Sequence, residues 1–295
     1  MTIEAPCVLD LRGTTLDLTR HVAVMAIVNR TPDSFYDRGA RFALDAAIAA
    51  GFAAAEAGAD IVDVGGVKFA PGPPLPIEDE IARVLPVVRA LAPVVAVSVD
   101  TFQPEVARAA IAAGASIVND TTGLRDPAMA DVIAEGGAGV VIAHSLAAPR
   151  MPHPDPHYDD VVAEVAAFLT ERRGLASVRG IPHERIILDP GHDLNKNTLH
   201  SLELTRRLGE LAALGSPLLV ALSNKDFVGE TLGRDRGDRL AGSLAAAVHC
   251  VLHGARIVRA HNVRETIDAV RMVEAIAGWC EPVLLRHNMP TGEAA

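Results

Sequence analysis

The stretch VVAVSVDTFQPEVARAAIAAGASIVND, Val94 to Asp120, carries one complete repeat of the fold. The aliphatic run to Val99 is too short for a helix and ends abruptly in Asp100, which reads as a buried strand reaching a polar rim. Pro104 suits the first position of a helix, where its missing N–H is not needed. Gly114 then fits a left-handed C-cap, and a second run closes in Asn119 and Asp120. The same unit recurs outward in both directions. Strand-like runs reach Asn29 in AVMAIVN, Gly66 in ADIVDVGG, His144 in GVVIAH, Asp189 in RIILD, Lys225 in PLLVALSNK and His261 in RIVRAH. Between them lie segments at helical spacing, such as Leu44, Ile48, Phe52 and Ala55 before Gly58, or Ile77, Ile81, Leu85 and Val88. Asp126-Pro127 adds a cap followed by an N1 proline, and Gly58, Gly215 and Gly254 stand where further helices close. Eight such units within ~250 residues predict an α/β fold, a single-domain (β/α)₈ TIM barrel, in preference to an open doubly wound sheet.

The expected organisation is an N-terminal extension over residues 1–20, read as a short hairpin on the barrel floor, a barrel over 21–285, and a frayed tail over 286–295. The segment RMPHPDPHYDD, Arg150 to Asp160, lies on the side of the barrel where active-site loops sit and reads as a lid. Its His153 and His157 share no helical face, so a solvated loop outweighs a metal pair.

Composition limits the partners. The 295 residues carry a formal net charge of −10 and only 3% aromatic residues, which offers nucleic acid neither phosphate contacts nor stacking platforms. No apolar run approaches the roughly 18 residues of a membrane span, and MTIEAPCVLD lacks the features of a signal peptide, so no membrane partner and a cytoplasmic location are expected. Cys7, Cys250 and Cys280 are too few and too widely spaced for a disulfide framework or zinc cluster. No Walker loop or GxGxxG follows a strand; EGGAGVV, Glu135 to Val141, precedes one.

In a barrel, the strand ends Asn29, Asp100, Asn119, Asp120, His144, Asp189, Lys225, Arg259 and His261 converge on one mouth. Each alone is as readily a helix cap or strand terminator. As a set they suit a small planar polar heterocycle, whose edge carboxylates and a carboxamide can read while Lys225 adds a cation. Arg259 and His261 suit an anion such as diphosphate, and Asn29 an oxygen ligand for magnesium.

These residues lie in motifs that resemble the dihydropteroate synthase family. MAIVNRTPDSFYDRG is similar to its signature NVTPDSFSDGG, and SVDTFQPEVARAAIAAGASIVND to SIDTxxxxVAxxAxxAGAxIIND. DPGHDLNK answers to DPGIGFGK, LSNKDFVG to LSRKSFIG and RAHNV to RVHDV, while GSLAAA is shared, so the likeness covers nearly the whole chain. The resemblance implies a pterin-binding barrel, usually a homodimer, in which hydroxymethyl-dihydropterin diphosphate loses diphosphate to the amine of 4-aminobenzoate. By that likeness Asp100, Asn119, Asp189 and Lys225 bind the pterin, with Asp100 and Lys225 catalytic. Arg259 and His261 hold the diphosphate, and Asn29 ligates Mg²⁺.

The acceptor side departs from the pattern. The family's GGESTRPG reads GGVKFAPG, so Lys68, Phe69 and Ala70 replace Ser, Thr and Arg. Leu194 replaces a phenylalanine, removing an aromatic wall, and Asn224 and Asp226 replace Arg and Ser. A carboxylate at Asp226 would oppose that of aminobenzoate; two such charges about 4 Å apart repel by roughly 1 kcal/mol in water and several times more when partly desolvated. The expectation is a divergent paralogue that binds a pterin diphosphate, takes aminobenzoate or sulfonamide-type ligands weakly, and has weak or no synthase activity. The alternatives are a competent synthase with a rebuilt acceptor pocket and a non-catalytic pterin-binding partner protein.

Overall fold

The aliphatic runs assemble as parallel strands because each is apolar on both faces and must be covered on both. The computed structural model describes residues 7–30, 44–153 and 155–289. Its strands are β1 (Val8–Leu11), β2 (Thr14–Asp17), β3 (Ala23–Asn29), β4 (Ile61–Gly65), β5 (Ala96–Asp100), β6 (Ile117–Asp120), β7 (Gly139–Ala143), β8 (Ile186–Asp189), β9 (Leu218–Ala221) and β10 (Ala255–Ala260). The helices are α1 (Leu44–Glu56), α2 (Ile77–Leu91), α3 (Pro104–Ala112), α4 (Pro127–Gly136), α5 (Val161–Val178), α6 (Thr198–Arg206), α7 (Leu208–Ala212), α8 (Asp226–Leu232), α9 (Leu240–Leu252) and α10 (Val263–Ile276). Strands β3 to β10 pair in sequence order and close, β10 against β3, into an eight-stranded parallel barrel. This is the (β/α)₈ TIM barrel that the repeat predicts.

The punctuation residues act as their chemistry requires. Asp126 accepts the N–H of Ala128 at 2.9 Å and Pro127 opens α4. Gly58, Gly114, Gly215 and Gly254 all have positive φ, between 86° and 114°, where they turn the chain back toward the next strand.

Inside the barrel, side chains stack in layers set by the two-residue period of a strand. The lower layers are apolar: Met25, Ile61, Ile117, Val141, Ile187, Leu219 and Ile257 belong to one buried cluster. The hairpin β1–β2 is antiparallel, and Leu9, Leu11 and Leu18 join that cluster from below, closing the floor. Outside, the helices bury the other faces of the strands in a larger cluster that includes Val62, Val84, Val88, Val140 and Leu188.

Candidate functional site

The same period places the chemistry. Two positions after the inward residues Ile61, Ile117, Ile187 and Ile257 come Asp63, Asn119, Asp189 and Arg259, one layer higher toward the C-terminal mouth. Parallel register aligns the neighbours, with Gly65 beside Asp100 and Asp100 beside Asn119. Above this layer opens a cavity of about 710 Å³. Asn29, Asp100, Asn119, Asp189, Lys225, Arg259 and His261 line it, together with Lys68, Phe69, Ala70, Leu194, Asn224 and Asp226. The structure therefore brings the expected pterin, diphosphate and metal residues and every altered acceptor-side residue into one space.

Asp120 and His144 are the exceptions to the expected convergence. Asp120 follows inward-facing Asn119, so it points outward, accepting N–H groups of Thr122 and Leu124 at 2.8 Å each. His144 lies beyond the end of β7. Its ring packs edge-on against Phe168, and its Nδ1 is 2.8 Å from Nζ of Lys196. Neither lines the cavity.

A buried ion cluster supports the floor of the site. Fully buried Asp63 accepts Nε of Arg259 at 2.7 Å and Nδ2 of Asn119 at 3.1 Å through the same Oδ2. Arg259 also donates Nη2 to Asp100 at 3.0 Å. Two carboxylates thus share one guanidinium. Burial, reinforced by the charges of Asp63, Glu80 and Asp120 and opposed by Arg259, pushes the Asp100 carboxyl up to about 7. Burial also raises Asp189, against the N–H bond from Gly191 at 2.7 Å and the charges of Lys225 and Arg259. Asn29 needs Gly65: a Cβ there would stand 3.1 Å from its Oδ1.

The loop after β8 forms the next wall. Lys196, 7% exposed, ties it together by donating to the carbonyls of Gly191 at 3.0 Å and Leu194 at 3.1 Å while meeting His144. Burial draws the Lys196 ammonium down to about 7, although Asp189 opposes the shift. Burial, and then Lys196 and Lys225, holds His192 near 3, so its ring is neutral; its carbonyl accepts Nζ of Lys225 at 3.1 Å. Gly191 has φ of 69°, and a Cβ would lie 2.1 Å from the carbonyl oxygen of His144. Gly191→Ala is expected to displace this loop and destabilise the protein by about 1–3 kcal/mol, by strain alone; a thermal melt within 1 °C of the parent would contradict the packing.

Opposite charge, not repulsion, surrounds Asp226. Its carboxylate accepts Nη1 of Arg239 at 2.8 Å, which corrects the picture of an uncompensated anion facing the acceptor. Asp193 is the carboxylate that bonds the backbone here, accepting the N–H of Asp226 at 2.6 Å and of Phe227 at 3.3 Å. The loop over 67–76 is fastened to the segment after β7 by Arg150, which donates to the carbonyls of Lys68 at 3.0 Å and Pro73 at 2.8 Å. Met151, Pro152, His153 and Pro156 line the cavity from that segment. The part of the MAIVNRTPDSFYDRG motif beyond Arg30 lies outside the described residues. No group of three or more metal-binding His, Cys, Asp or Glu occurs among the described residues, and no helix there is long and apolar enough to cross a membrane.

Asp63, Asp193, Lys196 and Arg239 are site residues that strand-end reasoning passes over. Two of these carry a local signal: Asp63 is a carboxylate inside the apolar run IVDVG, and Asp193 stands where the related motif DPGIGFGK has glycine.

Comparison with known proteins places the cavity in context. A family model described as pterin binding enzyme matches residues 25–261. The inactive dihydropteroate synthase 2 of Mycobacterium tuberculosis is 46% identical over 267 residues, covering 88% of this chain and 84% of that protein. The dihydropteroate synthase of Escherichia coli is 42% identical over 267 residues, covering 90% and 94%. Among solved structures, the Xanthomonas albilineans dihydropteroate synthase in complex with 7,8-dihydropteroate superimposes with a TM-score of 0.82 at 42% identity, over 92% of this chain and 98% of that one. The Yersinia pestis enzyme with a sulfonamide drug gives 0.87 at 37% identity, over 92% and 99%.

Proposed function

This chain belongs to the pterin binding enzyme family and is dihydropteroate synthase-like, and from that premise we propose that it binds a pterin diphosphate but forms dihydropteroate from 4-aminobenzoate weakly or not at all. One observation carries the reading. Asp100, Asn119, Asp189 and Lys225 converge on a single cavity whose other wall carries Lys68, Phe69, Ala70, Leu194 and Asp226 in place of the family's residues. The similarity to an inactive synthase 2 at 46% identity, above that to the E. coli enzyme at 42%, points the same way.

The residues divide the work. Asp189, Asn119 and Lys225 offer acceptors and donors to the edge of a planar heterocycle from the wall of one cavity. Asp63 holds Nδ2 of Asn119, which leaves its buried Oδ1 without a protein partner and ready to accept from a ligand. As the bond from the methylene carbon to the diphosphate oxygen breaks, its electron pair leaves with the diphosphate and positive charge develops on carbon. Asp100, in its ionised form, stabilises that charge. Arg259 and His261 hold the departing anion, with Arg259 steered by Asp63. Asn29, on the cavity wall, would offer a carboxamide oxygen to a hard cation such as Mg²⁺. Mg²⁺ would neutralise charge on the leaving group when bound. A homodimer, on the family resemblance, and the cytoplasmic location expected from the sequence complete the proposal; sedimentation velocity would test the first and fractionation the second.

The test pairs binding with turnover. Isothermal titration of the purified protein with pterin diphosphate and Mg²⁺ is expected to show saturable binding, whereas dihydropteroate formation should fall well below ~1 per second, the lower end of ordinary enzymes. Turnover at or above that rate would establish a competent synthase, and absence of pterin binding would remove the reading altogether.

A further inference from the structure

The acceptor wall of the cavity is closed from inside by a carboxylate of the chain itself. In DPGHDLNK, Asp193 stands where the related motif DPGIGFGK has glycine, yet its backbone keeps a φ of 62°, the left-handed region that favours glycine. The side chain added at this position is bonded through both oxygens. Oδ2 accepts the N–H of Asp226 at 2.6 Å and of Phe227 at 3.3 Å, while Oδ1 accepts the hydroxyl of Ser201 at 3.0 Å. The neighbouring guanidinium is engaged as well. Arg239, its side chain only 10% exposed, donates to the Asp226 carboxylate at 2.8 Å and to the carbonyls of Asn224 and Lys225 at 3.0 and 3.1 Å. Arg236, which lines the cavity, brings Nε within 3.8 Å of the same Asp226 oxygen.

We propose that Asp193 determines the acceptor specificity of this site: its carboxylate takes the place of a ligand carboxylate and reserves the wall for amines that carry no negative charge. The inference rests on the pterin reading above and names the substrate class of its second compartment. An anionic arylamine meets the Asp193 carboxylate here, with Asp226 already paired to Arg239 and the nearby backbone donors in use. A neutral or cationic amine can instead donate to Asp193 or Asp226, since a carboxylate has lone pairs beyond those occupied here. The hydrogen bonds at Asp193 also account for an aspartate where glycine would be unstrained, because three interactions to one charged group can hold a backbone conformation that is unfavourable by itself.

The experiment is a calorimetric comparison of 4-aminobenzoate with its neutral amide, 4-aminobenzamide, in the presence of pterin diphosphate and Mg²⁺. Wild-type protein, Asp193→Gly and Asp193→Asn are titrated under the same conditions. Glycine removes the charge and suits the backbone; asparagine removes the charge but keeps an acceptor for the two N–H groups. Wild type is expected to favour the amide over the acid. The acid-to-amide affinity ratio should rise at least roughly tenfold in Asp193→Gly, about 1.4 kcal/mol at 25 °C, with Asp193→Asn between the two. Equal affinity of wild type for acid and amide, or a ratio unmoved in Asp193→Gly, would overturn the proposal while leaving the pterin reading intact. Failure of wild type to take up pterin diphosphate would overturn that reading, and this inference with it. Should the glycine variant not fold, wild type's own preference decides: amide over acid supports the assignment, parity refutes it.

Discussion

Replacing Arg259 with leucine is expected to destabilise the fold by about 3–5 kcal/mol, an effect well above that of an ordinary surface change. The guanidinium lies between Asp63, 2.7 Å away and fully buried, and Asp100, 3.0 Å away. Without it, two carboxylates face each other across the upper layer of the barrel with no internal counter-charge. Protonation of one would relieve part of the repulsion, so the loss should be greatest at alkaline pH. Thermal melting at pH 8 should show a fall of roughly 5–8 °C for a protein of 295 residues. The double variant Arg259→Leu/Asp63→Asn should recover a substantial part of it. A melt within 2 °C of the parent for the single variant would show that solvent already compensates these charges.

The second large effect is on pH. Asp100 titrates near 7 because burial penalises its charged form. A pterin edge that donates to this group requires the carboxylate, so binding below that value must also expel a proton. The dissociation constant for pterin diphosphate is accordingly expected to rise about tenfold per pH unit as pH falls from 7 toward 5, and to flatten above 7. Calorimetry in buffers of different ionisation enthalpy would count the proton released at pH 6. Asp100→Asn should bind more weakly at pH 8 and lose the Asp100-linked slope. A wild-type profile flat between pH 5.5 and 8 would show that the ligand accepts the protonated acid instead. The diphosphate's own ionisation is separated by repeating the titration with the pterin alcohol, which lacks the phosphates.

Much of this was written in the one-dimensional pattern. Short apolar runs ending in polar residues yield both the barrel and the residues at its mouth, because strand parity and parallel register leave few places for Asp100, Asn119, Asp189 and Arg259 to go. Parity also explains what the pattern obscures. Asp120 looks as suitable as Asn119, but adjacent residues on a strand face opposite sides, and Asp120 is turned away to satisfy Thr122 and Leu124. His144 is removed from the site by a lysine 52 residues away in sequence, a contact no local signal announces. The acceptor wall is the least legible part. Asp226 stands out in the motif as a stray charge, yet its partner Arg239 comes from the start of another helix segment, and the carboxylate that occupies the backbone is Asp193, from a different loop. Such contacts depend on how long side chains cross between loops, which neither period nor spacing encodes. Asp63 was readable in principle: a lone acid within a buried strand must find a cation or a donor, and Arg259 and Asn119 supply both.

The small hairpin beneath the barrel has a kinetic consequence. With Met25, Ile61, Ile117, Ile187 and Ile257 filling the interior below the polar layer and Leu9, Leu11 and Leu18 packed beneath them, the cavity among the described residues opens toward the mouth, and molecules that share it must queue. Whatever sits deepest enters first and departs last, so a second reactant bound nearer the lip delays escape of the first. Pulse-chase trapping should therefore show the inner ligand dissociating more slowly once the outer one is present, even if the two never react.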